Sequence, residues 1–185
     1  GEAVRQASFN GVSIMTGTGY VSANFSAWGG FATTILLIVM FIGGCGGSTT
    51  CGIKVFRLQV LASTAKVQIS RLLRPHAVVL AYYNKRPVTV EVMDSVMGFF
   101  YLFILGFVLI AIMLGMAGLD FVTALSGAAT SISNVGPGLG EVIGADGNFS
   151  TLPNSAKWIM SFAMLLGRLE IFTVLVMLNP AFWQR

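Results

Sequence analysis

Between Asp94 and Asp120 the chain carries no charge at all: Ser95 to Leu119 is an unbroken neutral and largely apolar run. At about 1.5 Å of rise per residue, a helix of this length crosses a hydrocarbon core of about 30 Å. The remaining composition supports that reading. The 185 residues are 55% hydrophobic and 10% charged, where a soluble domain carries about 25% charge. So apolar a chain is not disordered, and a soluble core of this length cannot hide so much apolar surface. An integral membrane protein is expected.

Two more spans follow. One runs from about Trp28 to Ile42, "WGGFATTILLIVMFI", meets a glycine cluster, and continues as a more polar helix from Ile53 to about Leu73. The other runs from about Ser155 to Leu178 and is apolar except for Lys157 and "GRLE". Basic residues gather in one connection: Lys54, Arg57, Lys66, Arg71, Arg74, Lys85 and Arg86. The opposite connection holds only the acids Asp120, Glu141 and Asp146. By the positive-inside rule 54–94 is cytoplasmic, Met116 to Ala156 faces outward, and Arg185 ends in the cytoplasm. The net charge of +4 is thus a topology signal, not a nucleic-acid footprint. Cys45 and Cys51 fit no zinc spacing, and His76 stands alone; buried structural thiols are expected. The first residue is Gly1, not Met, so a fragment or processed piece of a longer protein is expected.

The outer connection holds "FVTALSGAATSIS", a helical segment too short to span, followed by "NVGPGLG". That order suggests a re-entrant hairpin, tolerated in a membrane only inside protein or beside a watery path. The chain then repeats itself. Val12 to Tyr20, "VSIMTGTGY", precedes Asn24-Phe25-Ser26, Trp28 and a spanning helix. Ala129 to Pro137, "ATSISNVGP", precedes Asn148-Phe149-Ser150, Trp158 and a spanning helix. Gly19 aligns with Gly136. The Asn-Phe-Ser triplets also fit the glycosylation pattern, but a repeat explains their placement. The unit is spanning helix, re-entrant pore loop, spanning helix, and about one and a half copies are present. One copy cannot enclose an axis, a second sign of a partial chain.

A dehydrated cation needs oxygen ligands, which backbone carbonyls aligned along a strand can supply. Glycine makes the necessary angles accessible, and the C-terminal end of a re-entrant helix adds partial negative charge. Thr16, Gly17, Thr18, Gly19 and Tyr20 read as one filter strand, and Ser133, Asn134, Val135, Gly136 and Pro137 as its counterpart. Potassium ligation is expected at Thr18, Gly19, Val135 and Gly136. Asp120, Glu141 and Asp146 would concentrate cations at the mouth. Inward of the filter, Gly43, Gly44, Cys45, Gly46, Gly47, Ser48, Thr49 and Thr50 interrupt a membrane helix. The stretch lacks the Gly-Lys-Ser/Thr of a phosphate loop. It reads as a flexible constriction or gate, with close packing through small residues as the competing reading. Arg168 and Glu170 are charges within a span and hence functional candidates. They are two apart and do not share a face. Arg168 is expected to face the pore, bonding the glycine break or setting a barrier to cations; a structural tether is the alternative.

"SIMTGTGY", "GGCGGSTTCGIKVFR", "RPHAVV", "SNVGPGLG" and "MLLGRLEIFTVLVMLNPAFW" together resemble the TrkH/TrkG membrane subunits of bacterial Trk potassium uptake systems, within the Trk/Ktr/HKT superfamily. The likeness covers essentially the whole chain. It implies an all-α polytopic membrane protein of potassium-channel-like repeats, four in the family. Residues 1–73 would give the pore helix, filter and broken second helix of repeat three, 74–94 a cytoplasmic connection, and 95–185 repeat four. It also implies that Gly19 and Gly136 are filter glycines, that Gly43 to Thr50 is the gating loop, and that Arg168 is the pore-facing arginine. The expected function is potassium uptake across the bacterial inner membrane, by symport or channel-like flux, with potassium as the only ion cofactor and no enzymatic reaction. Expected partners are the remaining repeats of the same subunit, a second copy in a homodimer, a cytosolic nucleotide-binding TrkA-type regulatory subunit, and the lipid bilayer. Two other classes compete. A secondary transporter of a small organic anion would present helix N-termini to its substrate, whereas here the glycines follow the helices. A membrane enzyme would need a partner for Ser13, Ser131 or Ser133, and His76 lies in the cytoplasmic stretch.

Overall fold

The computed structural model describes residues 1–74, 79–169, 171–178 and 180–183. His76, Glu170 and Arg185 lie outside the described residues. The chain is helical, with one small hairpin. Helix α1 (Glu2–Thr16) stops where Gly17 turns left-handed, φ 69°, a conformation glycine adopts without steric cost. A 3₁₀ turn at Phe25–Trp28 leads into α2 (Gly30–Phe41). After an irregular loop comes α3 (Val55–Leu73). Strands β1 (Tyr82–Tyr83) and β2 (Arg86–Pro87) pair antiparallel, and the tight turn between them puts Asn84 and Lys85 at positive φ. Helix α4 (Val90–Met116) precedes α5 (Phe121–Ser133) and the single turn α6 (Gly140–Ile143). A second 3₁₀ turn, Phe149–Thr151, precedes α7 (Asn154–Arg168), α8 (Ile171–Leu178) and α9 (Pro180–Trp183).

The short helix α5 sits at the centre, packed on α2, α4 and α7. Its small residues Ala124, Ala128 and Ala129 are buried, which lets neighbouring backbones approach closely. On one side it meets Phe99, Phe103, Ile110 and Leu114 of α4 and Met160 and Ala163 of α7. On the other it meets Ile14, Phe25, Leu36 and Met40. Phe41 joins the two sides, edge-on to Phe103 at 6.1 Å and to Phe107 at 5.0 Å between ring centroids.

Helix α4 is the one helix among the described residues long and apolar enough to cross a membrane by itself; its 27 residues rise about 40 Å. Its outer face shows Met97, Tyr101, Ile104, Leu105, Val108, Leu109 and Ile112 to the surroundings. A helix in water would carry polar groups there; this one suits lipid.

The structure departs from the sequence reading at four places. The span expected over Ser155 to Leu178 is two helices, because α7 ends at Arg168 and α8 resumes at Ile171. Gly167, a poor helix former, precedes that break, and Arg168 is drawn to another segment. Trp28 belongs to the 3₁₀ turn, so α2 is shorter than the expected span. Helix α4 reaches back to Val90 and takes in Glu91 and Asp94. Cys45 is exposed and Cys51 half-buried, so neither is a buried structural thiol; both sit in the loop after α2 rather than in a packed helix.

Candidate functional site

The two glycine turns, far apart in sequence, meet. A Cβ built on Gly19 would lie 2.5 Å from the Val135 carbonyl oxygen and 3.3 Å from Pro137 Cδ. A Cβ on Gly17 would touch the Asn134 carbonyl oxygen at 3.4 Å, and one on Gly136 would touch Gly19 Cα at 3.7 Å. Gly19 and Gly136 take φ of 75° and 113°, values a side chain strains to reach. Among the described residues, no hydrogen bond is made to the carbonyl oxygens of Gly17, Thr18, Gly19, Asn134, Val135 or Gly136. These six oxygens are therefore not engaged by donors of the described chain.

Both turns are built the same way. Each helix ends in a left-handed residue, Gly17 for α1 and Asn134 for α5 (φ 53°). Thr18 N–H donates to the Ser13 carbonyl at 3.0 Å, and Val135 N–H to the Thr130 carbonyl at 3.0 Å. Three residues past each glycine, a helix side chain catches the backbone again. Asn10 Oδ1 accepts from Ser22 N–H at 3.1 Å, and Ser126 Oγ accepts from Leu139 N–H at 3.1 Å. Beyond them, Asn24 and Asn148 each cap a 3₁₀ turn by accepting from Ser26 N–H and Ser150 N–H, both at 3.0 Å. The Asn-Phe-Ser triplets are therefore turn caps that come in the same order in each unit, though α6 intervenes only in the second. The alignment of Gly19 with Gly136 is the alignment of the backbones.

Beyond the glycine turns, hydrogen bonds knit the two units together. Asn24 Nδ2 donates to Asp146 Oδ2 at 2.5 Å, and Ser26 Oγ donates to the Gly140 carbonyl at 3.2 Å. Asp120 caps α5 by accepting from Thr123 N–H at 3.1 Å. Bonds from the Thr123 hydroxyl and then its N–H hold the Asp120 carboxyl below the ordinary carboxylate range, so it faces α5 as an anion. Two of the three outer acids thus have structural partners.

The glycine loop after α2 is a closed excursion. Ile42 and Ile53 form a parallel bridge; Gly43 N–H donates to the Ile53 carbonyl at 2.9 Å, and Ile53 N–H to the Phe41 carbonyl at 2.8 Å. Inside it, Gly44 N–H donates to Thr50 Oγ1 at 3.0 Å, and Ser48 Oγ donates to the Cys45 carbonyl at 2.7 Å. Gly46 lies against Phe56, and Gly47 has positive φ. Arg168 Nη1 donates to the Thr49 carbonyl at 2.8 Å and contacts Cys51 Sγ at 3.6 Å. Arg168 and the loop border a cavity of about 210 Å³ walled by Phe99 and Phe103. Arg57 also lines it, its guanidinium 3.8 Å from the Phe99 ring centroid, a cation–π distance.

One helix touches both features. The Met164 carbonyl of α7 accepts from Asn134 Nδ2 at 3.0 Å, one turn before Arg168 reaches the loop. Between them, a Cβ on Gly167 would collide with the Ile132 carbonyl oxygen. Gly167 is required there for close approach, a role the sequence reading did not assign. That reading also missed Thr123, Ser126 and Thr130, all buried. Their i, i+3, i+7 spacing, one helix face, was the available signal.

Comparison with known proteins agrees. The family model "TrkH: Cation transport protein" matches residues 1–185. The Trk system potassium uptake protein TrkI of Halomonas elongata is 48% identical over 97% of this chain and 37% of its own length. The Trk system potassium uptake protein TrkH of Escherichia coli is 37% identical over 98% of this chain and 37% of its own length. The crystal structure of the potassium transporter TrkH from Vibrio parahaemolyticus superposes with a TM-score of 0.89 at 40% identity, covering 98% of this chain and 38% of that one. The chain thus spans well under half the length of the relatives it matches. Paired helix–turn units, a glycine loop bonded by an arginine, and a family match along every residue converge on one conclusion: this chain belongs to the TrkH family of cation transport proteins.

Proposed function

We propose that the chain supplies part of a potassium uptake pathway in the bacterial inner membrane, acting as a transporter subunit and not as an enzyme. The observation that carries this is the pair of apposed strands Gly17–Gly19 and Asn134–Gly136, whose carbonyls accept no hydrogen bonds among the described residues. Each strand emerges from the C-terminal end of a re-entrant helix. The partial negative charge of that end favours a cation beside it. Thr18, Gly19, Val135 and Gly136 then offer potassium its oxygen ligands, and the other repeats of the full-length subunit complete the ring. Residues 1–73 and 95–185 are two successive repeat units, and 74–94 is their cytoplasmic link.

Gly43 to Thr50 acts as the gate inward of the filter, held shut by Arg168 through Thr49. The filter loops face outward, and 54–94 and the C-terminus face the cytoplasm. There a nucleotide-binding regulatory subunit moves the gate, and two copies of the full-length subunit pair in the bilayer. The names of the relatives, Trk system potassium uptake proteins, support this reading. The full-length protein that carries these residues should restore growth of a potassium-uptake-deficient bacterium at low potassium and accumulate rubidium. Failure to move either cation, with uptake of a small organic anion instead, would replace this reading by the secondary transporter.

A further inference from the structure

Thr130 is fully buried in α5 and has one task among the described contacts: its Oγ1 accepts the N–H of Gly136 at 3.0 Å. That N–H and the Val135 carbonyl belong to one peptide unit. In a trans peptide the two point in opposite directions. Holding the N–H back against the helix therefore holds the Val135 oxygen forward, toward Gly19. Glycine at 136 (φ 113°) places little restraint of its own on this unit, so the unit can rotate if the bond is lost.

The other strand solves the same problem differently. Gly19 N–H, the counterpart of Gly136 N–H, donates to the Ser13 backbone carbonyl at 3.3 Å, sharing it with Thr18 N–H. Ser13 Oγ is directed elsewhere, to the Tyr20 carbonyl at 2.7 Å. Thus one strand is fixed by backbone, which no substitution at Ser13 removes, and the other by a side chain.

We propose that Thr130 is a positioning residue for ion selection: its hydroxyl fixes the Val135–Gly136 peptide so that the Val135 carbonyl faces the ion. The inference rests on the filter reading above. It makes repeat four the strand whose geometry one hydroxyl controls.

The test uses the full-length protein in a potassium-uptake-deficient bacterium, with potassium, rubidium and sodium uptake measured at matched membrane levels. Thr130→Val keeps the shape and removes the acceptor. It should cut the preference for potassium over sodium about fivefold or more, the scale of one hydrogen bond. Thr130→Ser restores the oxygen and should restore the preference. A purely structural role would lower membrane level or thermal stability and leave the ratio alone. If Thr130→Val does not reach the membrane, Thr130→Cys against Thr130→Ser decides, since a thiol accepts weakly. Equal ratios for Cys and Ser would overturn the proposal, as would an unchanged ratio in Thr130→Val. Gly136→Ser serves as the control. If it alters selectivity while Thr130→Val does not, the filter stands and this role for Thr130 falls. If neither alters it, the filter reading itself fails.

Discussion

Asp120 shows how a single residue positions the site. As the N-cap of α5 it fixes where that helix starts, and hence where Asn134 and Gly136 emerge. Asp120→Ala should lower stability by about 1 kcal/mol, and Asp120→Asn, which also caps, by much less; thermal unfolding in detergent checks both. The native carboxyl lies below its ordinary range, so its contribution is full above about pH 4 and fades as pH falls through the native value. Gly167 acts through what it lacks. Its Cβ would meet the Ile132 carbonyl, so Gly167→Ala should cost about 1–3 kcal/mol, the usual cost of overpacking. A thermal shift near zero would show that α7 can move away. Gly19 and Gly136 were legible in the sequence because a glycine at a turn signals positive φ, which both adopt. Gly167 was not, because its need comes from a carbonyl on another helix.

At the scale of elements, α7 joins the second glycine turn to the loop after α2. It holds Asn134 through Met164 and Thr49 through Arg168, so a shift of this helix moves both. Arg168→Ala removes the one bond from α7 to the loop backbone among the described residues. It should raise resting potassium flux several-fold, on the scale of a charge-assisted hydrogen bond, and Arg168→Lys should keep part of the restraint. Removing Gly43 to Thr50 should raise flux too; the pairing of Ile42 with Ile53 shows that the ends of the excursion lie close enough to be rejoined. Unchanged or lower flux in well-folded protein would argue for a packing role. Helices α4 and α5 could be read from sequence because Ser95 to Leu119 is a long uncharged apolar run and "FVTALSGAATSIS" is a short one bounded by Asp120 and the following glycines. The break after Arg168 could not, because apolar residues flank "GRLE" on both sides and no proline marks a stop. Nor does any local signal say that Ile42 and Ile53 pair. That bridge spans an excursion, and its strands carry no alternating pattern.

At the scale of the molecule, two strands face each other and the remaining side is open. Thr18 and Tyr20 are exposed, and an apolar groove of about 400 Å³ beside them is lined by Phe9, Val12 and Thr16. Two strands cannot surround an ion, so the 185-residue segment alone, placed in vesicles, should show no potassium flux above empty vesicles. The full-length protein should show it. The most direct measurement compares that protein with its Gly19→Ser and Gly136→Ser forms in potassium, rubidium and sodium uptake, at matched membrane levels. Both glycines have positive φ, and a side chain on Gly19 would also collide with the Val135 carbonyl of the opposite strand. Each substitution should therefore displace carbonyl oxygens and reduce the preference for potassium. Unchanged uptake and unchanged preference in both variants would mean that these strands are ordinary outer turns and do not form an ion filter.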